Sequence, residues 1–209
     1  SLNIYAKYLG TLIEKIWGGR NLEGLNMNLP ESLNIGESWE IAIHKEHINK
    51  LDKSIVSNIY SLDDNIPEEI TNEYEKILNY NLQEILELYK GEFLGGHIYK
   101  ETGNKFPLLI KYLDINDKLS IQVHLNNQCA LEKENDLGKT ECWYIMDASE
   151  DAELILGISK GINKFDFIEK TKNNDFNGLF NKIKVKKGDF IFIPPGVVHA
   201  TLNGWSLIC

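Results

Sequence analysis

The stretch Lys186-Lys187-Gly188-Asp189-Phe190-Ile191-Phe192-Ile193-Pro194-Pro195-Gly196-Val197-Val198-His199-Ala200 holds, in fifteen consecutive residues, a Gly-Asp turn, an apolar strand, a Pro-Pro-Gly reversal and a second strand that carries a histidine. The reversal folds the second strand back, so His199 returns across the sheet. Similar short strands, separated by Gly, Pro, Asn and Asp turns, follow on both sides of this one. They are predicted at Lys118–His124, Glu141–Asp147, Ala152–Ile158, Lys182–Val185, Asp189–Pro194, Val197–Leu202 and Trp205–Ile208. Many short strands with frequent turns predict a mainly β chain, built as a sandwich or barrel.

The first fifty residues add short β-like pieces, Ile13–Trp17 and Ser38–Ile43, punctuated by Gly18-Gly19, Gly24 and Gly36, each read as permitting a tight turn. The period then changes. Between Ser61 and Glu69 the chain is acidic and turn-like, and from Thr71 to Lys90 the residues Tyr74, Ile77, Leu78, Leu82, Ile85, Leu86 and Tyr89 recur at three- and four-residue steps. That spacing predicts one helix with a core-facing stripe and no chemistry of its own. A single domain over residues 1–209 with a helical insertion at about 68–92 is therefore expected, with strands resuming after Gly95-Gly96. A second helix is predicted at Lys164–Lys172, and a short one at Gln128–Glu134 capped by Asn126 or Asn127.

Composition narrows the function classes. The 209 residues are 43% hydrophobic and 25% charged, as in an ordinary globular protein, and apolar runs such as Phe106–Ile110 fall far short of a membrane span. Ser1–Gly10 lacks the uninterrupted apolar stretch of a secretory signal, and the three cysteines, Cys129, Cys142 and Cys209, do not read as a disulfide framework. A cytoplasmic location is the resulting expectation. The net charge of -9 argues against nucleic acid or an anionic membrane as partner. Arg20 is the single arginine, so a bound phosphate would depend on lysines, hydroxyls or backbone N–H groups.

In Lys118–His124 the polar residues Ser120, Gln122 and His124 alternate with Leu119, Ile121 and Val123, which places the polar set on one strand face. Such a face either meets solvent or, if buried, needs partners, because an unpaired buried polar group costs about 1–3 kcal/mol. A metal ion is one such partner. In Gly138-Lys139-Thr140-Glu141-Cys142-Trp143-Tyr144, Glu141 shares a face with Trp143 and is read either as a surface carboxylate or as a ligand. Two imidazoles, His124 and His199, with the Glu141 carboxylate would make a three-ligand site with an open position, suited to Zn²⁺ and also to Fe²⁺ or Mn²⁺. His44 and His47 read as a solvated loop and His97 as surface.

Several strings in order resemble the type I mannose-6-phosphate isomerases, particularly their short bacterial form. They are Lys15-Ile16-Trp17-Gly18-Gly19, Gly36-Glu37-Ser38-Trp39-Glu40-Ile41, Phe106-Pro107-Leu108-Leu109-Ile110-Lys111, Asn116–His124, Gly138–Tyr144 and Pro195-Gly196-Val197-Val198-His199-Ala200. The resemblance implies a cupin-type jelly-roll sandwich. It also implies zinc ligands at His124, Glu141 and His199, with Gln122 as a further ligand or close neighbour, and an active-site lysine at Lys139. The implied reaction interconverts mannose 6-phosphate and fructose 6-phosphate through a cis-enediol, with Ser120, Lys118, Lys111 and Trp17 as the substrate-binding set.

The sequence departs from the family in two places. His124 is followed by Leu125-Asn126-Asn127 where the family has a proline and acidic residues, and the chain reaches Cys209 before the family's later strands and their catalytic arginine. A C-terminally truncated form, able to bind metal but weak or inactive as a catalyst, is the expectation, with an unpaired strand edge at its end open to another chain. The alternative is a non-catalytic cupin module that binds metal and a sugar phosphate in a sensing or regulatory role. A cupin oxygenase, which would need redox-active iron, is the more distant reading. Oligomeric state is open.

Overall fold

In the computed structural model, which describes residues 10–43, 48, 80–134 and 138–209, alternate residues of the Phe190–Ile193 strand face opposite ways: Ile191 and Ile193 are buried, while Phe190 and Phe192 are exposed. The same two-residue period runs through Glu141–Ala148, where Trp143 and Ile145 are buried and Cys142 and Tyr144 are exposed. These two strands pair antiparallel, with Glu141 opposite Ile193 and Trp143 opposite Ile191. The register thereby sets Glu141 on the inward face.

The strands are β1 (Thr11–Gly19), β2 (Ile35–Ile41), β3 (Ile110–Ile115), β4 (Glu141–Ala148), β5 (Glu153–Ile158), β6 (Phe180–Lys184), β7 (Phe190–Ile193), β8 (His199–Asn203) and β9 (Ser206–Ile208). They form a six-stranded sheet in the order β1-β2-β3-β9-β4-β7 and a three-stranded sheet in the order β6-β5-β8. This is a mainly β chain, as the sequence predicts. The chain divides into two compact units, one of Ser1–Ile13 and Glu37–Lys111, the other of Glu14–Gly36 and Tyr112–Cys209.

In the first unit, helix α1 (Leu82–Tyr89) buries Leu82, Ile85 and Leu86. Its start is a capping box: Glu84 N–H donates to Asn81 Oδ1 at 3.0 Å, and Asn81 N–H donates to Glu84 Oε2 at 2.7 Å. The earlier part of the predicted helix, residues 71–79, lies outside the described residues. Two more helices follow, α2 (Gly91–Leu94) and α3 (Gly96–Thr102), where the sequence reading has strands resume. Gly95, at φ 85°, supplies the left-handed residue that ends one turn and starts the next. Strand β3, absent from the sequence prediction, begins as this unit ends.

In the second unit one hydrophobic cluster joins the two sheets. Leu113, Ile115, Trp143, Ile145, Ile191, Ile193 and Ile208 from the larger sheet meet Leu154 from the smaller one, with Leu156 and Ile183 packed against them. Gly18 and Gly36 sit within strands and serve close approach rather than a turn. A Cβ on Gly18 would lie 2.5 Å from the Gly36 nitrogen. Buried Asp114 accepts hydrogen bonds from Asn21 N–H at 2.6 Å, Asn21 Nδ2 at 2.8 Å and Asn116 Nδ2 at 2.7 Å, so its charge is fully partnered. Helix α4 (Asn127–Glu134) is capped by Asn126 Oδ1, which accepts from Cys129 N–H at 2.9 Å. Helix α5 (Lys164–Lys172) occupies the predicted span behind an Asn163 capping box. Among the described residues no helix is long and apolar enough to cross a membrane.

Two strand expectations are corrected. Lys118–His124 is not a ladder strand; its one backbone bridge joins Gln122 to His199. The last strand is not an open edge. β9 lies between β3 and β4, with Ile208 opposite both Leu113 and Ile145, and Cys209 exchanges backbone hydrogen bonds with Tyr144 at 2.9 and 3.0 Å.

Ile145 is fully buried in the cluster, so Ile145→Ala is expected to lower unfolding free energy by about 2–5 kcal/mol. Asn163→Ala, which removes only the α5 cap, is expected to cost about 1 kcal/mol. Urea denaturation of both variants checks this order.

Candidate metal centre

Three side chains from different parts of the second unit converge. Glu141 opens β4, His199 opens β8 in the facing sheet, and His124 ends the extended segment bridged to β8. Their ligand atoms all lie within 4.8 Å of one another. His199 Nε2 is 3.2 Å from Glu141 Oε2, and His124 Nε2 is 3.4 Å from Glu141 Oε1. Donors bound at about 2.0–2.2 Å to one tetrahedral ion stand roughly 3.4 Å apart, so these separations fit a shared cation.

The environment fits as well. The His199 side chain is only 2% exposed and its Nε2 makes no aligned hydrogen bond, although the carboxylate is close. Its other ring nitrogen, Nδ1, lies 2.9 Å from the Val197 carbonyl. With the proton on Nδ1 donated to that carbonyl, Nε2 offers its lone pair to the centre. Trp143, two residues along the inward face from Glu141, packs edge-on against the His199 ring at 5.5 Å and 84°. The two imidazoles are 5.0 Å apart by ring centroids.

Lys139 stands beside them. Its Nζ is 2.5 Å from Glu141 Oε1, and its backbone N–H donates to Leu125 O at 3.1 Å. Burial pushes the Glu141 carboxyl upward, but the close approach of the His199 ring nitrogen, the hydrogen bond from Lys139 and the positive charges of Lys139 and His124 outweigh it and hold the pKa down to about 2. Burial opposes protonation of His199, yet the Glu141 carboxylate and the Val197 carbonyl prevail and raise its pKa. A carboxylate ionised under all ordinary conditions and a buried imidazole nitrogen facing it form a donor set for a divalent cation.

The remaining predicted residues are distributed less tightly. Gln122 exchanges backbone hydrogen bonds with His199 at 2.9 Å each way, and directly opposed residues of such a pair project to the same face, so Gln122 neighbours the centre on its exposed side. Ser120 and Lys118 are exposed on the same segment. Trp17 is half-buried and packs against the hydrophobic cluster. Lys111 belongs to the first unit, where its Nζ lies 3.5 Å from Glu37 Oε2 and 5.6 Å from the Trp39 ring centre. His44 and His47 fall outside the described residues, and His97 is exposed beside Glu101 at 3.4 Å. Sequence reasoning missed Trp143 and the Val197 carbonyl as supports, although each sits two residues from a predicted ligand.

The family model described as the phosphomannose isomerase type I catalytic domain matches residues 8–168. The chain is 35% identical over 194 residues to the mannose-6-phosphate isomerase ManA of Bacillus subtilis, covering 91% of this chain and 52% of that protein. It is 34% identical over 196 residues to the mannose-6-phosphate isomerase of Streptococcus mutans, covering 93% and 53%. The crystal structure of the mannose 6-phosphate isomerase from Bacillus subtilis aligns with a TM-score of 0.76 and 33% identity, covering 97% of this chain and 56% of that one. The chain thus spans about half the length of the curated relatives it matches, and its fold is the cupin-like one of these enzymes. On the match to three-quarters of its length, the chain belongs to the type I phosphomannose isomerase family.

Proposed function

We propose that this site serves the metal-dependent interconversion of mannose 6-phosphate and fructose 6-phosphate. The observation that carries the reading is the convergence of His124, Glu141 and His199, with Lys139 on the same carboxylate, in a chain of this family. His124 Nε2, His199 Nε2 and the Glu141 carboxylate would hold the cation, with Gln122 as a fourth donor or neighbour. Zn²⁺ is the first choice for two imidazoles and a carboxylate, and Fe²⁺ and Mn²⁺ suit the same set. A bound cation would supply positive charge for the substrate oxygens that become negative as a proton moves between adjacent carbons.

The protein's own groups complete the requirements. The reaction needs a proton carrier within hydrogen-bond reach of the sugar and a cationic site for its phosphate. Lys139, with its side chain 41% exposed, reaches solvent while its ammonium rests on Glu141, so it can meet substrate and hold a proton at Nζ. Ser120 and Lys118, on the segment that presents Gln122 and His124, are suited by exposure and donor chemistry to the phosphate, and Trp17 completes the proposed substrate-binding set of this unit. The apolar wall behind the centre, including Trp143, keeps water from His199.

Two measurements check this reading. In a coupled assay, formation of fructose 6-phosphate from mannose 6-phosphate is expected to require added Zn²⁺, to vanish with chelator and in His124→Ala, and to fall at least tenfold in Lys139→Ala. Turnover that survives chelator or His124→Ala would contradict the metal-dependent reading, and unchanged metal binding in His124→Ala would contradict the centre. The second measurement is pH dependence. Without metal, the stabilisation from Glu141 is complete above its ordinary pKa of 4.5 and is lost as pH falls toward 2. That from His199 is complete below its ordinary 6.5 and is lost as pH rises through its raised value. The stability difference between metal-free wild type and Glu141→Gln is therefore expected to peak between pH 4.5 and 6.5. Metal affinity should run the other way, rising as His199 loses its proton.

A further inference from the structure

The segment that delivers His124 is held in an unusual way. Between Lys118 and His124 no ladder forms, and three separate points fasten it to β8 and the turn before it. Leu119 N–H donates to Thr201 Oγ1 at 3.0 Å. Gln122 and His199 exchange backbone hydrogen bonds at 2.9 Å. Gly196 N–H donates to His124 O at 2.8 Å. The central point is backbone only, so most residues could make it. The outer two depend on residue identity.

Thr201 lies on β8 two residues beyond His199 and is 4% exposed, so water has little access to replace its hydroxyl as acceptor for Leu119. Gly196 has φ 84°, a conformation that L residues adopt only with strain, yet nothing lies within 4 Å of the position a Cβ would take. Glycine is required there for the backbone direction, which aims its N–H at the His124 carbonyl. The same turn supplies the Val197 carbonyl that fixes His199 Nδ1. One turn thus holds both histidines, His124 by its backbone carbonyl and His199 by its ring.

We infer that Thr201 and Gly196 are positioning residues of the metal centre, which set the register of the Leu119–His124 segment and with it the approach of His124 to Glu141 and His199. The inference rests on the metal-binding reading above. Groups that orient ligands from outside typically matter by about 10–100-fold in metal affinity.

The test is Co²⁺ titration followed by visible absorption, with thermal melting of each metal-free variant. Thr201→Val keeps the shape of the side chain and removes the acceptor, Thr201→Ser restores it, and Gly196→Ala changes only the backbone preference. The expected result is at least tenfold weaker Co²⁺ binding with an altered absorption band in Thr201→Val and Gly196→Ala, and near wild-type binding in Thr201→Ser. If wild type binds Co²⁺, His124→Ala does not, and Thr201→Val and Gly196→Ala both match wild type, the positioning roles are overturned while the metal centre stands. If wild type and His124→Ala bind alike, both ideas fall. Should Thr201→Val not fold, Gly196→Ala, with open space at its Cβ, decides alone: wild-type affinity and spectrum there refute the proposal.

Discussion

A carboxylate held inside a β-sandwich is the constraint around which the second unit is organised. Glu141 faces inward because the β4–β7 register puts it on the same side as Trp143 and Ile145. An isolated charge in that position would be severely penalised, and its neighbours remove the penalty: two imidazoles at 3.2 and 3.4 Å and a lysine at 2.5 Å. The four groups come from both sheets and two connecting segments. The fold therefore brings together a cluster that no single element could supply, and the cluster in turn gives the polar ends of β4 and β8 partners inside an otherwise apolar interior.

Electrostatics and geometry act in the same direction here. Glu141 stays ionised because the contacts with His199 and Lys139 outweigh its burial, while His199 is drawn toward protonation by the same carboxylate. A proton and a divalent ion are thus competitors for one small volume. With the Val197 carbonyl on Nδ1, the neutral tautomer of His199 is the one that leaves Nε2 free to face that volume. Lys139 is the most exposed of the four, which makes it the member of the group that solvent or a substrate approaches most readily.

Much of this was legible in the sequence because strand alternation is local. The shared face of Glu141 and Trp143, the reversal before His199 and the helix behind Asn163 all follow from residues within a few positions of one another. What was not legible depends on contacts far along the chain. The alternation of Ser120, Gln122 and His124 predicts a strand, but only Gln122 finds a backbone partner in β8, and Thr201, more than eighty residues away in sequence, supplies a side-chain acceptor instead. Likewise β9 reads as a terminal edge, whereas the sheet order inserts it between β3 and β4. The Gly96–Thr102 helix went unseen because its glycine-rich start carries no apolar period.

The central claim is that His124, Glu141 and His199 bind one divalent cation. Anomalous diffraction from crystals of the protein grown with Zn²⁺, recorded on both sides of the zinc absorption edge, tests it most directly. The account predicts a single strong peak about 2.0–2.2 Å from His124 Nε2, His199 Nε2 and a Glu141 oxygen. A peak bound elsewhere, with these three side chains left as an ion-paired cluster, would contradict it.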